Sequence, residues 1–356
     1  MTQASGTWQD SRPRLRRSDE PLSEHYDAAL LDLDGVVYLG GTPIDGAADA
    51  LSTAGKHGMR LAFVTNNASR TPSAIAVQLS NMGIPATATD IVTSAQAAAR
   101  LIASRFPAGS PVLVVGSMGL RMALRARGLR PVSTAAERPV AVAQGYAPDI
   151  GYGLLAEASL AIRAGAWFVA ANVDATLPTT RGPQPGNGSL VQVLVTATGT
   201  QPVVAGKPEP PLHAESVERV RSERPLVVGD RLDTDIEGGV RGGADSLLVL
   251  TGVTGPADVL LAPPQRRPTY LAADLSGLNT PHPEVTTAGD GFSCGGWTAS
   301  GASGRDWLRV SGSGSKIDGL RALCAAAWSA PSPAGDGSGP ALDAARAAVS
   351  RVGYSG

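Results

Sequence analysis

Two aspartates one residue apart, Asp32 and Asp34, close a short apolar run, Ala28-Ala29-Leu30-Leu31, and are followed by Gly35. On an extended strand, side chains two residues apart project to the same side. The two carboxylates therefore share one small volume, and like charges that close are costly unless a cation or a proton neutralises them. The pair asks for a metal. Read alone, Asp before Gly also simply starts a turn, so the choice depends on partners further along the chain.

Three such partners follow, each behind a short apolar segment. Arg60 to Val64 ends in Thr65-Asn66-Asn67, small polar groups able to donate hydrogen bonds to an anion and equally able to cap a helix. Val203-Val204-Ala205 ends in Gly206-Lys207-Pro208, and Pro225 to Val228 ends in Gly229-Asp230-Arg231-Leu232-Asp233-Thr234-Asp235. Asp32, Asp34 and Asp230 together would hold a hard divalent cation through oxygen, and Mg²⁺ suits such a site because it keeps several waters and binds phosphate. Lys207 would neutralise a nucleophile and a phosphoryl group beside it, with Thr65 and Asn66 completing an anion cradle. Phosphoryl transfer needs positioning and charge neutralisation above all. A carboxylate can be the nucleophile, through an aspartyl-phosphate, and a second acid can move the protons.

The tips need a sheet to bring them together. Apolar runs separated by helical stretches, such as Ala47 to His57 and Ser73 to Met82, read as right-handed βαβ units whose strand ends line up. Open parallel sheets bind ligands at those ends. The expected fold is α/β, a Rossmann-like parallel-sheet core over residues 25–90 and 190–275. Residues 91–189 alternate strands and helices of their own with no carboxylate pair at a strand tip, and read as an inserted α/β cap domain. The cap's last strand runs into the polar loop Ala171 to Pro178, whose Asn172 and Asp174 form either a specificity loop on a rigid scaffold or an ordinary Asx turn. Pro183 to Gly188 reads as a hinge, and Ser189 as the cap of a helix returning to the core.

Beyond the core, residues 284–356 read as a small α+β C-terminal module: a hairpin from Gly291–Thr298 and Asp306–Val310, then helices over 317–329 and 340–352. At about 70 residues this is near the lower limit for a free-standing domain, so docking on the core is expected, with a homo-oligomer the other association considered. Residues 1–24 are polar, with Arg-rich patches, and read as a disordered arm.

With 30 Lys and Arg against 31 Asp and Glu, the net charge of −1 makes no electrostatic case for nucleic acid or an anionic membrane. No apolar segment approaches the ~18 residues a membrane helix needs. The two cysteines, Cys294 and Cys324, have no metal or redox spacing, and a reducing, cytoplasmic setting is expected.

Taken in order, Asp32-Leu33-Asp34-Gly35, Thr65-Asn66-Asn67, Gly206-Lys207-Pro208 and Gly229-Asp230 with Thr234-Asp235 resemble the haloacid dehalogenase superfamily of phosphatases. The resemblance implies Asp32 as nucleophile and Asp34 as general acid/base. It also implies Mg²⁺ on Asp32, the backbone carbonyl of Asp34 and Asp230, with Thr65 and Lys207 on the phosphoryl group. Asp235 would support the metal shell, and Asp233 would be a solvent-facing turn residue. An insertion between the threonine and lysine motifs is similar to the branch of 4-nitrophenyl, pyridoxal, phosphoglycolate and glycerol phosphate phosphatases, in which the loop holding Asn172 and Asp174 faces the leaving group. Some members that accept an aromatic phosphate place a His just before the loop proline; this chain has Leu177, which disfavours pyridoxal phosphate. A small phosphate monoester is the expected substrate, glycerol 3-phosphate first, with phosphoglycolate, pyridoxal phosphate, a nucleoside monophosphate, or a non-catalytic phosphate sensor as alternatives. The tail vaguely resembles part of an acetyltransferase fold. Ser311 to Lys316 reads as a flexible turn, and a coenzyme A loop of the Gln/Arg-x-x-Gly-x-Gly kind is not expected there.

Overall fold

The strand Ala28–Leu31 lies inside a six-stranded sheet, and all four of its residues are buried. The computed structural model describes residues 15–177, 181–301, 307–330 and 339–355. Across the sheet the strands run Tyr270–Ala272, Asp245–Val249, Pro225–Gly229, Ala28–Leu31, Arg60–Thr65 and Ile91–Thr93, every pair parallel. Helices cover both faces, which is why these strands are unbroken apolar runs. The register sets Leu31 opposite Val228 on one side and Phe63 on the other. The tips bearing Asp32, Asp230 and Thr65 therefore end side by side.

A second parallel sheet runs Val203–Val204, Trp167–Ala170, Ala141–Gln144, Pro111–Val115, Arg130–Val132. Its extent differs from the expected boundaries at both ends. Ile91–Thr93 pairs with Arg60–Thr65 and so extends the first sheet, whereas Val203–Val204 pairs with Trp167–Ala170 and stays with the second. The crossing points are the helix Ser94–Ala103, begun by a Thr93–Gln96 capping box, and the residues just before Lys207. Side chains of both sheets, among them Leu30, Val64, Val112 and Val169, form one apolar cluster. Glu215, almost fully buried, ties the two layers by accepting from Arg219 (2.7 Å), Arg127 (3.0 Å) and Arg100 (3.3 Å).

The helix Asn187–Thr198 starts two residues earlier than expected, behind Gly186, and Ser189 does not cap it. The Ser189 hydroxyl donates instead to the Ala175 carbonyl (2.8 Å). A Cβ on Gly186 or Gly188 would lie 2.3 Å and 2.2 Å from the carbonyls of Asp174 and Val173, so the two glycines let the helix start close under the polar loop. Residues of the expected hinge form a short ribbon, Gln184–Pro185 against Thr176–Leu177. Pro178 falls outside the described residues.

The tail is a four-stranded antiparallel sheet, Thr286–Ala288, Gly291–Cys294, Trp297–Gly301 and Leu308–Gly312, with helices Lys316–Ser329 and Pro340–Ser350. The single strand expected at 291–298 is two, because Gly295 and Gly296, both at positive φ, reverse the chain there. Asp306, where the second hairpin strand was expected to begin, lies outside the described residues. Helix Lys316–Ser329 docks on the core through Trp328 Nε1, which donates to Val259 O (3.0 Å), and Arg321, which donates to Leu271 O (2.6 Å). Leu248, Ile236 and Leu260 of the core pack in one cluster with Leu320 and Leu323.

Part of the expected arm is built into this junction. Arg16 pairs with Asp245 (2.8 Å), Ser18 bridges the His282 backbone, Leu15 is buried and Leu22–His25 is a helical turn. The polar arm finds unpaired backbone at a sheet edge, where Arg16 N–H donates to Thr269 O (2.9 Å). Residues 1–14 of the expected arm lie outside the described residues.

His282 sits buried at this junction, facing Tyr270, with Nε2 on the Gly277 carbonyl (2.9 Å) and Nδ1 accepting from Arg321 (3.2 Å). Burial and the adjacent guanidinium push its pKa down to about 4, against the raising effects of the Gly277 hydrogen bond and Asp318. The unfolded chain binds a proton near pH 6.5 that the folded one refuses until about 4, so this contribution to stability is full above pH 6.5 and falls as pH drops through that window. Relative to pH 7.5, urea unfolding at pH 5 should show a loss of about 2 kcal/mol that disappears in His282→Gln, whose amide can keep both hydrogen bonds. An equal pH response in parent and variant would disprove it.

Candidate active site

At the carboxyl edge of the first sheet, Lys207 Nζ contacts Asp32 Oδ1 and donates to Asp235 Oδ1 (2.7 Å) and to the Val64 carbonyl (3.3 Å). One carboxylate oxygen from each of Asp32, Asp230 and Asp235 lies within 4.8 Å of the others. Asp34 is at the same tip and lines the same cleft, of ≈ 290 Å³, together with Thr65, Asn66, Asn67, Asn172 and Asp174. Every site residue singled out in the sequence lines this one opening except Asp235, which is buried behind Lys207.

Close packing brings the carboxylates together. Gly35, at φ +89°, has no room for a Cβ, which would lie 2.4 Å from Asp230 Oδ2; one on Gly252 would lie 2.0 Å from the same atom. Asp230 is held between two backbone turns, with Val253 N–H donating to Oδ2 (2.6 Å). Past Arg231 the chain makes a single π-helical turn, Leu232–Ile236, a geometry that recurs at functional sites. It turns Asp235 inward, where Arg231 N–H donates to its Oδ2 (3.2 Å), and Asp233 outward, onto the Arg231 guanidinium (2.9 Å). The half-exposed Asp233 is therefore a partner of Arg231 as well as a turn residue.

The electrostatics favour a proton or a cation among the carboxylates. Burial, together with Asp235 and Asp32, raises Asp230 to about 7, and burial raises Asp235 to about 6 despite Lys207. Burial would lower Lys207, but Asp235 and Asp32 outweigh it and the pKa rises, so the ammonium stays charged. One ammonium among three carboxylates leaves a net negative pocket. Asp230 Oδ1 is buried with no protein partner among the described residues. An all-oxygen donor set with a spare buried carboxylate oxygen is what Mg²⁺ takes, and the residues present fit it. A small oxygen ligand sphere is more tolerant of Mg²⁺ than of softer metals.

The remaining side chains divide by what they touch. Thr65 Oγ1 accepts from Asn67 N–H (3.0 Å) and lines the cleft. Asn67 Oδ1 accepts from Ser69 N–H (2.9 Å), forming the turn before the helix Pro72–Asn81. Asn172 closes an Asx turn on Asp174 N–H (3.2 Å) while its Nδ2 donates to Asn66 O (2.6 Å). Asn67 and Asn172, expected on the substrate, thus spend these side-chain groups on protein, as Asn66 does its amide, on the Lys207 backbone N–H (2.8 Å) and carbonyl (3.1 Å). Asp174 is half-buried, and the desolvation raises its pKa, with Arg231 and Asn66 opposing. Tyr38, Tyr146 and Arg231 also line the cleft and were not singled out. Tyr38 and Arg231 adjoin the acidic motifs, which was the available signal; nothing local marks Tyr146.

A parallel α/β sheet whose tips gather a carboxylate cluster, with a buried ammonium and a polar anion cradle beside it, defines a metal-assisted phosphotransferase or phosphatase. Residues 29–130 match the haloacid dehalogenase-like hydrolases and residues 204–278 a further haloacid dehalogenase hydrolase-like family. The D-glycerol 3-phosphate phosphatase of Mycobacterium tuberculosis is 52% identical over 258 residues, 72% of each chain. An acid sugar phosphatase of Staphylococcus saprophyticus is 39% identical over 71% of this chain and 96% of its own. A crystal structure of glycerol phosphate phosphatase from M. tuberculosis in complex with magnesium superposes with a TM-score of 0.81 at 44% identity, over 94% of this chain and 99% of that one. The chain belongs to the haloacid dehalogenase-like hydrolases. It is a Mg²⁺-dependent phosphatase of that family, with a C-terminal extension, residues 294–354, matching a GCN5-related N-acetyltransferase-like domain.

That extension corrects one expectation. Arg309-Val310-Ser311-Gly312-Ser313-Gly314 does carry the Arg-x-x-Gly-x-Gly spacing, between the strand Leu308–Gly312 and the helix Lys316–Ser329. In this fold the two glycines of the loop pack against the chain itself. A Cβ on Gly312 would lie 2.2 Å from the Gly296 carbonyl and one on Gly314 2.5 Å from the Gly295 carbonyl. The glycines admit the neighbouring hairpin turn.

Proposed function

We propose that this phosphatase hydrolyses glycerol 3-phosphate, with Asp32 as nucleophile and Asp34 as general acid/base. The observation that carries the reading is the convergence on one cleft of Asp32 and Asp230, at adjacent strand tips of the first sheet, with Lys207, which follows a strand of the second. The Asp32 carboxylate attacks phosphorus and the ester oxygen leaves with a proton from Asp34, giving an aspartyl-phosphate and a free alcohol. Asp34 then takes a proton from water, which attacks the phosphorus and regenerates Asp32. Lys207 holds the nucleophile and neutralises charge on the phosphoryl oxygens, and Thr65 donates to them. Asp32, Asp230 and the Asp34 carbonyl, with Asp235 behind, would hold Mg²⁺, which would supply neutralisation of phosphoryl charge.

The substrate rests on two facts. The relative named D-glycerol 3-phosphate phosphatase is the more similar of the two sequences above, and the magnesium-bound glycerol phosphate phosphatase matches this chain along nearly its whole length, tail included. The division of labour follows as three parts: a core over residues 25–93 and 205–275, a cap over 94–204, and a C-terminal module over 284–356 that braces the core. A cytoplasmic place in glycerophospholipid turnover suits such an enzyme.

Phosphate release from glycerol 3-phosphate, phosphoglycolate, pyridoxal phosphate, a nucleoside monophosphate and a sugar phosphate tests the substrate. Glycerol 3-phosphate should have the highest kcat/KM, by about tenfold or more, a margin the hydrogen-bonding of two hydroxyls can supply. A higher value for any other ester overturns the assignment. Chelation with excess EDTA should stop turnover and added Mg²⁺ restore it; a rate that survives chelation would refute the metal's role.

A further inference from the structure

The cap loop and the lysine loop are held by one residue. Asn66 Oδ1 accepts from Lys207 N–H (2.8 Å), and Asn66 Nδ2 donates to Lys207 O (3.1 Å) and to both oxygens of Asp174 (3.3 Å each). Its backbone carbonyl accepts from Asn172 Nδ2 and from Ser94 Oγ, both at 2.6 Å. The side chain therefore grips the backbone of Lys207 on both sides and reaches the cap loop with the same amide. Gly206 makes the fit possible, since a Cβ there would lie 2.5 Å from Asn66 Oδ1 and 2.5 Å from Ala171 O.

We propose that Asn66 is a positioning residue that couples the cap loop 172–174 to Lys207, so that seating the loop over the leaving group and aligning the ammonium on Asp32 are a single event. This rests on the reading of Lys207 and Asp32 given above. The physical argument is one of shared partners. Lys207 Nζ, held at its tip by Asp32 and Asp235, springs from a backbone that Asn66 clamps at both its N–H and its C=O, and small displacements of a catalytic group are expensive in rate. The Asp174 carboxylate is the only charged group the cap loop offers to Asn66 Nδ2, among the described residues, and a charge-assisted hydrogen bond is the stronger kind. If the loop lifts, Asn66 Nδ2 loses Asp174 and the clamp on Lys207 loosens with it.

The test is a mutant cycle on the full chain with Mg²⁺, reading kcat and KM for glycerol 3-phosphate and 4-nitrophenyl phosphate. Asn66→Ala should lower kcat about 10²-fold on both esters, with the folded state checked by circular dichroism and urea unfolding. Asp174→Ala, which cuts only the cap link, should lose about tenfold, mostly in KM. The double variant should lose no more than Asn66→Ala alone, because both changes break one contact. Asn66→Asp sets two carboxylates against each other; adding Asp174→Asn restores a donor facing an acceptor and should regain about tenfold or more over Asn66→Asp. A purely structural Asn66 has no reason to be rescued from the cap. Losses that add, or a rescue that fails, overturn the proposal. Asp32→Asn serves as the separate control: turnover surviving in that variant would refute the underlying reading of the site, whatever the cycle shows.

Discussion

Asp32→Asn is expected to lower phosphate release by at least about 10⁴-fold while leaving the fold intact, because an amide of the same shape is no nucleophile. The variant keeps an oxygen able to accept from Lys207 Nζ, so the buried ammonium retains a partner and Asp235 keeps its own. Loss of one negative charge also relieves Asp230 and Asp235, both raised in part by Asp32. Stability should therefore be unchanged or slightly greater, and the comparison of kcat with the urea midpoint separates chemistry from folding. A rate within a few-fold of the parent would eliminate Asp32 as the nucleophile.

Lys207→Met should fail in both measurements. The ammonium is the cation shared by Asp32 and Asp235, and Asp235 is fully buried. Removing one partner of a buried pair leaves an uncompensated charge, costing about 3 to 5 kcal/mol when nothing else neutralises it. Protonation offers an escape, and Asp235, at about 6 even beside the lysine, should move higher without it. The destabilisation should therefore be largest above neutral pH and shrink as pH falls, with kcat down by about 10³-fold or more throughout. Bound Mg²⁺ should recover part of the stability. A variant as stable as the parent at pH 8 without metal would show that the lysine does not balance the cluster.

Much of this site is legible in the sequence because a parallel strand buried on both faces has a strong signature. Ala28–Leu31, Pro111–Val115 and Trp167–Ala170 fall where the apolar runs end, and the chemistry sits just past such ends. What periodicity cannot tell is which sheet a short strand joins. Ile91–Thr93 and Val203–Val204 are each two or three apolar residues with no local preference, and pairing alone sends one to the core sheet and the other to the cap sheet. The polar arm from Leu15 to His25 was illegible for a related reason, since its partners are a backbone edge and His282, more than 250 residues away.

The kinds of side chain at the site, and their order along the chain, were determined by the sequence: two aspartates, a threonine, a lysine and an acidic turn, each behind a strand, which is enough for a metal-assisted phosphoryl transfer. Only the tertiary structure decided how those groups divide the work. It seated Asp230 between Gly35 and Gly252, turned Asp235 inward and Asp233 outward, and set the amide of Asn66 on Lys207 and Asp174. The reason is that a side chain's type fixes what it can bond, whereas the nearest unpaired partner fixes what it does bond, and that partner comes from a different strand.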